Sequence, residues 1–432
     1  MTRWRRFLGR LIPMFLLAAL VAGTWRFWPD EAAPIAGGID PAVFAATLET
    51  NAEGFARVSP GWDFVFPRDQ GAHPDYRTEV WDLSGQVVDA DGLRYGLRLT
   101  FIRIGLAPPT KTRVSMLAAN AVMLARFAFA PEDGVGAKIS QRASRAAVGL
   151  AGADVAPLRV WLEDWSLEQG ADGGLLLRAG LDELQLTLAL TPRKDAVTEA
   201  ETQSGSGLFA SATGGEGPSF HFFLQPRLSA TGTLRLGSGL RSSIGGAAET
   251  SRGTANEIAA EPLDRPGVEL RDVIGSAWLE RAWGAVPSNF AGGRGQLALN
   301  RFTLQLDDNT ELVCVHLRRK TGGGTPVPNC LAILDDGSSR QFQRRQVRLE
   351  PVESGWTRAA DGSLYPLSWR LALPDLGLEL KVQPLLAEQP MSVGFGEPSW
   401  SGAVTLSGRR GDDVVVGSGR MDLNGYAAET EL

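Results

Sequence analysis

Two cysteines and three histidines are the residues of this chain whose types and spacing could do chemistry beyond packing. Between Cys314 and Cys330 lie Gly322-Gly323-Gly324, Pro326 and Pro328, so the chain can double back and set the thiols face to face. In an oxidising compartment such a pair reads as a disulfide. A loop of this size contributes roughly 3 kcal/mol if chain entropy governs it. His316 lies close by, and a Cys314, His316, Cys330 metal site is the alternative, although three ligands at this irregular spacing match no standard zinc pattern. His73 and His221 sit in distant segments; His221 lies among Phe220, Phe222 and Phe223, where a buried, hydrogen-bonded histidine is the simple reading. No Gly-x-Ser-x-Gly elbow or phosphate-cradling glycine loop opens a helix. Neither a serine-hydrolase set nor a nucleotide is indicated, and no metal or cofactor is expected.

Strands must position these groups. Tyr95, Leu97, Leu99 and Phe101 alternate with Arg94, Arg98 and Thr100, and the same period recurs at Leu184, Leu186, Leu188 and Leu190 and at Leu376, Leu378, Leu380 and Val382. Period two marks a strand with one buried and one wet face. Asp89-Ala90-Asp91-Gly92 and Asp307-Asp308-Asn309 supply turn chemistry between such runs. Only Val114 to Ala130 fits either a helix or a strand packed on both faces. Many short antiparallel strands favour a barrel or sandwich. A length of 432 residues suits two domains. The first is expected over residues 60–236 and the second over 268–432. Residues 237–267, rich in Gly, Ala, Ser and Glu, read as a linker or insertion, and residues 198–217 as a long loop.

The chain opens with Arg3, Arg5, Arg6 and Arg10, an uncharged run from Leu11 to Gly23, then Trp25, Phe27 and Trp28. That is the order of an export signal followed by an interfacial aromatic anchor. Residues 1–30 are therefore expected to be a signal peptide or an uncleaved signal anchor. The body is placed in the periplasm on the inner membrane, or outside the cell if the segment is cut. The net charge of −6 and the absence of a basic stripe interleaved with aromatics exclude a nucleic-acid partner. With 44% hydrophobic and 21% charged residues, the body is globular.

Ordered blocks over residues 60–428 resemble the AttH-like, carotenoid 1,2-hydratase family. They are Phe66 to Glu79; Gly149 to Ala153 with Trp161 and Trp165; Pro226-Arg227-Leu228; Gly275 to Gly284; Tyr365-Pro366-Leu367; and Trp400-Ser401-Gly402. The resemblance implies an all-β chain of two tandem lipocalin-like antiparallel barrels. It also implies one of two activities: hydration of an isolated double bond in an acyclic carotenoid, or an exported role beside ABC exporters. The export signal favours the second, with a lipid or isoprenoid as ligand, the membrane as a partner through the N-terminal segment, and an ABC exporter as a further partner. Hydrating an unactivated alkene needs an acid kept protonated in a dry pocket. The resemblance assigns that role to Glu280, flanked by Trp278 and Trp283, where the family has an aspartate. The extra methylene shifts the acid by about an ångström, enough to cost a hundredfold in rate. An ion pair of Glu280 with Arg281 or a neighbouring arginine, with both tryptophans as core, is the alternative. His73, Asp75, Glu79 and Trp81, in and after the opening block, are implied either to bind the ligand or to latch the barrel entrance. The chain departs from the family at Glu79-Val80-Trp81-Asp82, where Glu-Trp-Trp-Tyr is usual; near Arg126, where a histidine is usual; and at Trp400-Ser401-Gly402, where Trp-Glu-Gly is usual.

Overall fold

The structure is a computed structural model describing residues 53–59, 61–108, 120–134, 137–147, 149–198, 220–237, 268–284, 297–320, 327–359, 362–387 and 399–426. The expected N-terminal signal or anchor, the expected linker beyond residue 237, the long loop beyond residue 198 and the triple glycine lie outside the described residues. Among the described residues no helix is long and apolar enough to cross a membrane.

The alternating segments form strands in two antiparallel sheets. The first contains β1 (Thr78–Asp89), β2 (Arg94–Gly105), β3 (Ala121–Pro131), β4 (Lys138–Arg145), β5 (Ala151–Asp154), β6 (Arg159–Leu162), β7 (Trp165–Gln169), β8 (Leu175–Leu181), β9 (Leu184–Pro192), β10 (Val197–Thr198), β11 (Phe220–Leu236) and β12 (Glu269–Gly284). Their order is β4-β3-β2-β1-β12-β11-β9-β8-β7-β6-β5, with β10 beside β11. The second contains β13 (Leu297–Leu306), β14 (Glu311–Arg319), β15 (Val327–Ile333), β16 (Ser339–Gln343) and β17 (Arg348–Pro351). After the small separate pair β18 (Trp356–Arg358) and β19 (Leu364–Pro366), it continues with β20 (Trp369–Leu373), β21 (Leu378–Pro384), β22 (Trp400–Arg410) and β23 (Asp413–Leu423). The first sheet rolls until β3 and β4 lie against β6 and β8, a nearly closed barrel, and the second is a half-barrel. The fold is two tandem lipocalin-like barrels. Val114 to Ala130, readable as helix or strand, supplies β3 from Ala121 onward.

Turn chemistry sets the register. Between β1 and β2, Asp89 accepts the backbone N–H groups of Asp91 and Leu93, both at 3.0 Å, and Gly92 takes the left-handed φ of +84° that closes the hairpin. One face of each sheet is then filled. Trp81, Tyr95, Phe101, Phe127, Phe129 and Trp165 are fully buried inside the first barrel, and Phe302, Trp369 and Met421 inside the second.

Two features differ from the sequence reading. Glu269–Gly284, expected to begin the second domain, hydrogen-bonds with β1 on one side and β11 on the other and so completes the first sheet. Sequence adjacency cannot reveal this, because strand partners are chosen by register and facing side chains. The outward faces of β1 and β2, expected to be wet, are largely buried against the second sheet, with Asp82, Ser84, Gln86 and Thr100 all shielded. Gln86 donates to the carbonyls of Val404 (2.7 Å) and Gly419 (3.0 Å), while Gln305 of β13 donates back to those of Pro226 (2.8 Å) and Ala277 (3.0 Å). Trp278, Ala282, Val313, Val315 and Leu331 form the apolar part of this interface.

Cys314 and Cys330 sit directly opposite each other on β14 and β15, their Cα atoms 4.1 Å apart, and are joined by a disulfide in the second core. The bridge uses both thiols that the metal alternative requires. Among the described residues no group of three or more His, Cys, Asp or Glu side chains is placed to hold a metal.

Candidate functional site

Two polar clusters carry the residues singled out above. The first closes the end of the first sheet where β1 begins and β12 ends. The chain before β1 folds back there because residue 71 is glycine: a Cβ on Gly71 would stand 1.8 Å from the Val155 carbonyl oxygen. This brings Asp69, His73 and Glu79 together. Asp69 accepts from the Val65 N–H (2.7 Å), Arg68 Nε (2.8 Å) and Trp62 Nε1 (3.2 Å), and lies 3.2 Å from His73 Nε2. Burial opposes its ionisation, but these hydrogen bonds outweigh burial and bring its pKa down to about 2.

Glu79 is fully buried and accepts from the His73 N–H (2.7 Å), Arg103 Nε (2.5 Å) and Arg281 Nη2. Burial alone would raise its pKa. The charges of Arg103 and Arg281 overcome that and hold it far below the usual glutamate range. Burial lowers Arg281 to about 10 against the pull of Glu79. The Arg281 guanidinium also donates to the Gly71 carbonyl (2.7 Å) and lies 3.9 Å from the Trp81 ring centre. His73, 11% exposed, stacks on Trp283 at 3.9 Å. Behind it, Trp62 packs on His221 at 4.7 Å, and the Tyr76 hydroxyl is 3.4 Å from His221 Nε2. The acids are matched by arginines and backbone donors, an arrangement that latches the end of the barrel.

The second cluster lies between the sheets. Glu280, Asp82, Thr100 and Arg126 form one row across β12, β1, β2 and β3. Asp82 receives a two-pronged contact from Arg98 (2.8 Å for each prong), the Thr100 hydroxyl (2.7 Å) and, from the second sheet, Arg420 (3.0 Å). Burial resists ionisation of Asp82, and Arg98 and Arg420 overcome it, so the carboxylate stays charged well below its ordinary range. Asp422 accepts from Ser401 (2.6 Å) and Arg420 (3.0 Å). Beside this network the sheets leave a cleft of about 50 Å³, room for a few water molecules.

The residues named from the sequence fall on both clusters. Alternation along β12 sends Leu279, Arg281 and Trp283 toward the first barrel, and Trp278, Glu280 and Ala282 toward the second sheet. Trp283 therefore does not flank Glu280, and only Trp278 shares its face. Glu280 pairs with Arg301 at 2.5 Å and not with Arg281, which turns to the other face and pairs with Glu79. Burial pushes its carboxyl upward while Arg301 draws it back. His73, Glu79, Trp81 and Trp283 meet in the first cluster. Asp75 does not: it is exposed, and its backbone carbonyl accepts from Ala56 N–H at 2.9 Å. Arg103, Asp82, Arg98 and Arg420 were not anticipated, nor was Glu79 as the partner of Arg281. Arg281 carried a signal, since an arginine at an inward position between Leu279 and Trp283 requires a buried acid.

The model of the AttH-like family matches residues 57–426. An AttH protein from Nitrosomonas europaea has a similar structure, with a TM-score of 0.63 and 23% identity over 87% of this chain and 100% of that one. Kievitone hydratase from Nectria haematococca is similar at a TM-score of 0.51 and 14% identity, over 86% of this chain and 96% of that one. At these identities the likeness shows the fold. No curated protein matches the chain.

Proposed function

The chain belongs to the AttH-like family, and from that premise we propose an exported, membrane-tethered protein that binds a lipid or isoprenoid between its two sheets, as an accessory to an ABC exporter. One observation carries the binding reading: buried side chains pack the inner faces of both sheets, whereas the cleft between them keeps open space bordered by Ala128, Ile139, Trp278 and Ala403. Ligand pockets are concave and mostly apolar with a few polar groups, and typically span about 300–1,000 Å³. The cleft of about 50 Å³ suits one end of a ligand, the rest of which lies outside it. Native mass spectrometry of protein extracted from membranes is expected to show a co-purifying hydrophobic molecule, and Ala128→Trp, which fills the cleft, to remove it. Wild-type protein without a bound molecule, or retention in Ala128→Trp, would refute the reading.

Export rests on the arginine-rich start and the apolar run that follows it. Disulfides persist in oxidising compartments. Protein trapped with a thiol-blocking reagent inside intact cells is therefore expected to show no free thiol at Cys314 or Cys330, and a form lacking residues 1–30 to show two. Two free thiols in the full-length chain would overturn export.

A hydro-lyase is the second reading, favoured by one observation. Burial pushes the Glu280 carboxyl in the direction a proton donor needs.

A further inference from the structure

Four cationic side chains line the cleft between the sheets: Arg98, Arg126, Lys138 and Arg420. Three have carboxylate partners. Arg98 and Arg420 share Asp82, at 2.8 and 3.0 Å, and Lys138 meets Asp182 at 2.7 Å. Arg126 is only 8% exposed, yet among the described residues it has neither an ion pair nor a hydrogen bond. Burial and the positive charges of Arg98 and Arg420 lower its pKa to about 9. A guanidinium this shielded is costly to keep without a counter-charge.

Trp278 is buried in the cleft wall, and among the described residues its indole N–H has no acceptor. Glycine lets the two sheets close together at this wall: a Cβ on Gly96 would stand 2.5 Å from the Ala403 Cβ. A cavity of about 50 Å³ walled by a positive charge without an ion pair fits a group that is small, acceptor-rich and negative.

We propose that the cleft binds the carboxylate, or an equivalent oxyacid group, of its ligand, with Arg126 as the counter-charge. The inference rests on the reading that the cleft is the ligand site and deepens it: the ligand is an amphiphile with an acidic head, and its apolar chain lies beyond the cleft.

Dodecanoate, dodecanol and acetate separate the possibilities when titrated into the full chain by calorimetry. Dodecanoate is expected to bind about tenfold or more tighter than dodecanol, as charge-assisted hydrogen bonds would give, and acetate to bind only weakly. Arg126→Met should abolish the preference for dodecanoate by weakening dodecanoate far more than dodecanol, and Arg126→Lys should retain part of it. Because Arg126 lacks a carboxylate partner, Arg126→Met should also melt no lower than wild type without ligand. Equal affinity for dodecanoate and dodecanol, untouched by Arg126→Met, would overturn the anion site while leaving apolar binding intact. A lower melting temperature for unliganded Arg126→Met would also overturn it, by making Arg126 a structural residue. Acetate as tight as dodecanoate would support the anion site, identify a free small anion as its source and overturn the apolar ligand. Binding of none of the three would overturn this inference together with the proposed function.

Discussion

Replacing Glu79 by glutamine is expected to destabilise the fold by about 3–5 kcal/mol, the usual penalty for removing one partner of a buried ion pair. The magnitude follows from what would remain. Arg281 is fully buried and Arg103 nearly so, and Glu79 is the carboxylate that both guanidinium groups contact. Without it, two like charges face each other at low dielectric. Glutamine still accepts a hydrogen bond but cannot neutralise them. For a domain of this size, 1 kcal/mol moves the melting temperature by about 2–4 °C, so a fall on the order of 10 °C should be seen by circular dichroism. Removing Arg281 as well, in Glu79→Gln with Arg281→Met, should recover part of the loss, because one stranded charge is then gone. The acid limb provides an independent readout. The folded-state pKa of Glu79 is depressed, so its stabilisation is complete above the ordinary glutamate value of 4.5 and is lost as pH falls below it. The stability of Glu79→Gln should therefore fall less steeply with acid than that of wild type. A loss under about 1 kcal/mol, with an unchanged acid limb, would show that Glu79 does not hold this cluster together.

The alternation that places Tyr95, Leu97, Leu99 and Phe101 inside the first barrel is legible because a strand's period is local. What the other face meets is not. Asp82, Arg98 and Thr100 occupy outward positions that read as wet, yet Asp82 is buried against Arg420, more than three hundred residues further along the chain. No window of sequence contains both partners. A polar row on one sheet that is neutralised by a polar row on another looks like an ordinary solvent-facing side until the sheets meet. The same limit explains β12, whose pairing with β1 and β11 is decided by long-range register while residues 237–267 read as a linker.

The opening block was legible in a different way. Resemblance brought His73 and Glu79 forward together, and the structure unites them with Asp69, but nothing in the spacing showed that Asp75 would turn outward. Resemblance also drew attention to Glu280, whereas its neighbour Arg281 stands at the centre of the first cluster. Adjacent residues on a strand point to opposite faces, so one step along β12 separates the barrel latch from the cleft network.

That step frames the expected behaviour of Glu280→Gln. An alkene hydratase using Glu280 as its acid would need a protonated carboxyl facing the substrate. Here the carboxyl is bonded to Arg301 at 2.5 Å, within a network where Arg98, Arg126, Arg301 and Arg420 outnumber Asp82, Glu280 and Asp422. Burial raises the Glu280 pKa, and the adjacent guanidinium opposes protonation. The expected result is that the wild type adds no water to an acyclic carotenoid such as lycopene. The substitution should act on the fold instead: glutamine keeps an acceptor for Arg301 but removes one of three negative charges facing four positive ones, a loss of about 1–3 kcal/mol. Denaturant unfolding and product mass spectrometry on the same two proteins decide the matter. A mass gain of one water with the wild type, absent with a folded Glu280→Gln, would make Glu280 the proton donor and replace the binding reading with the hydratase.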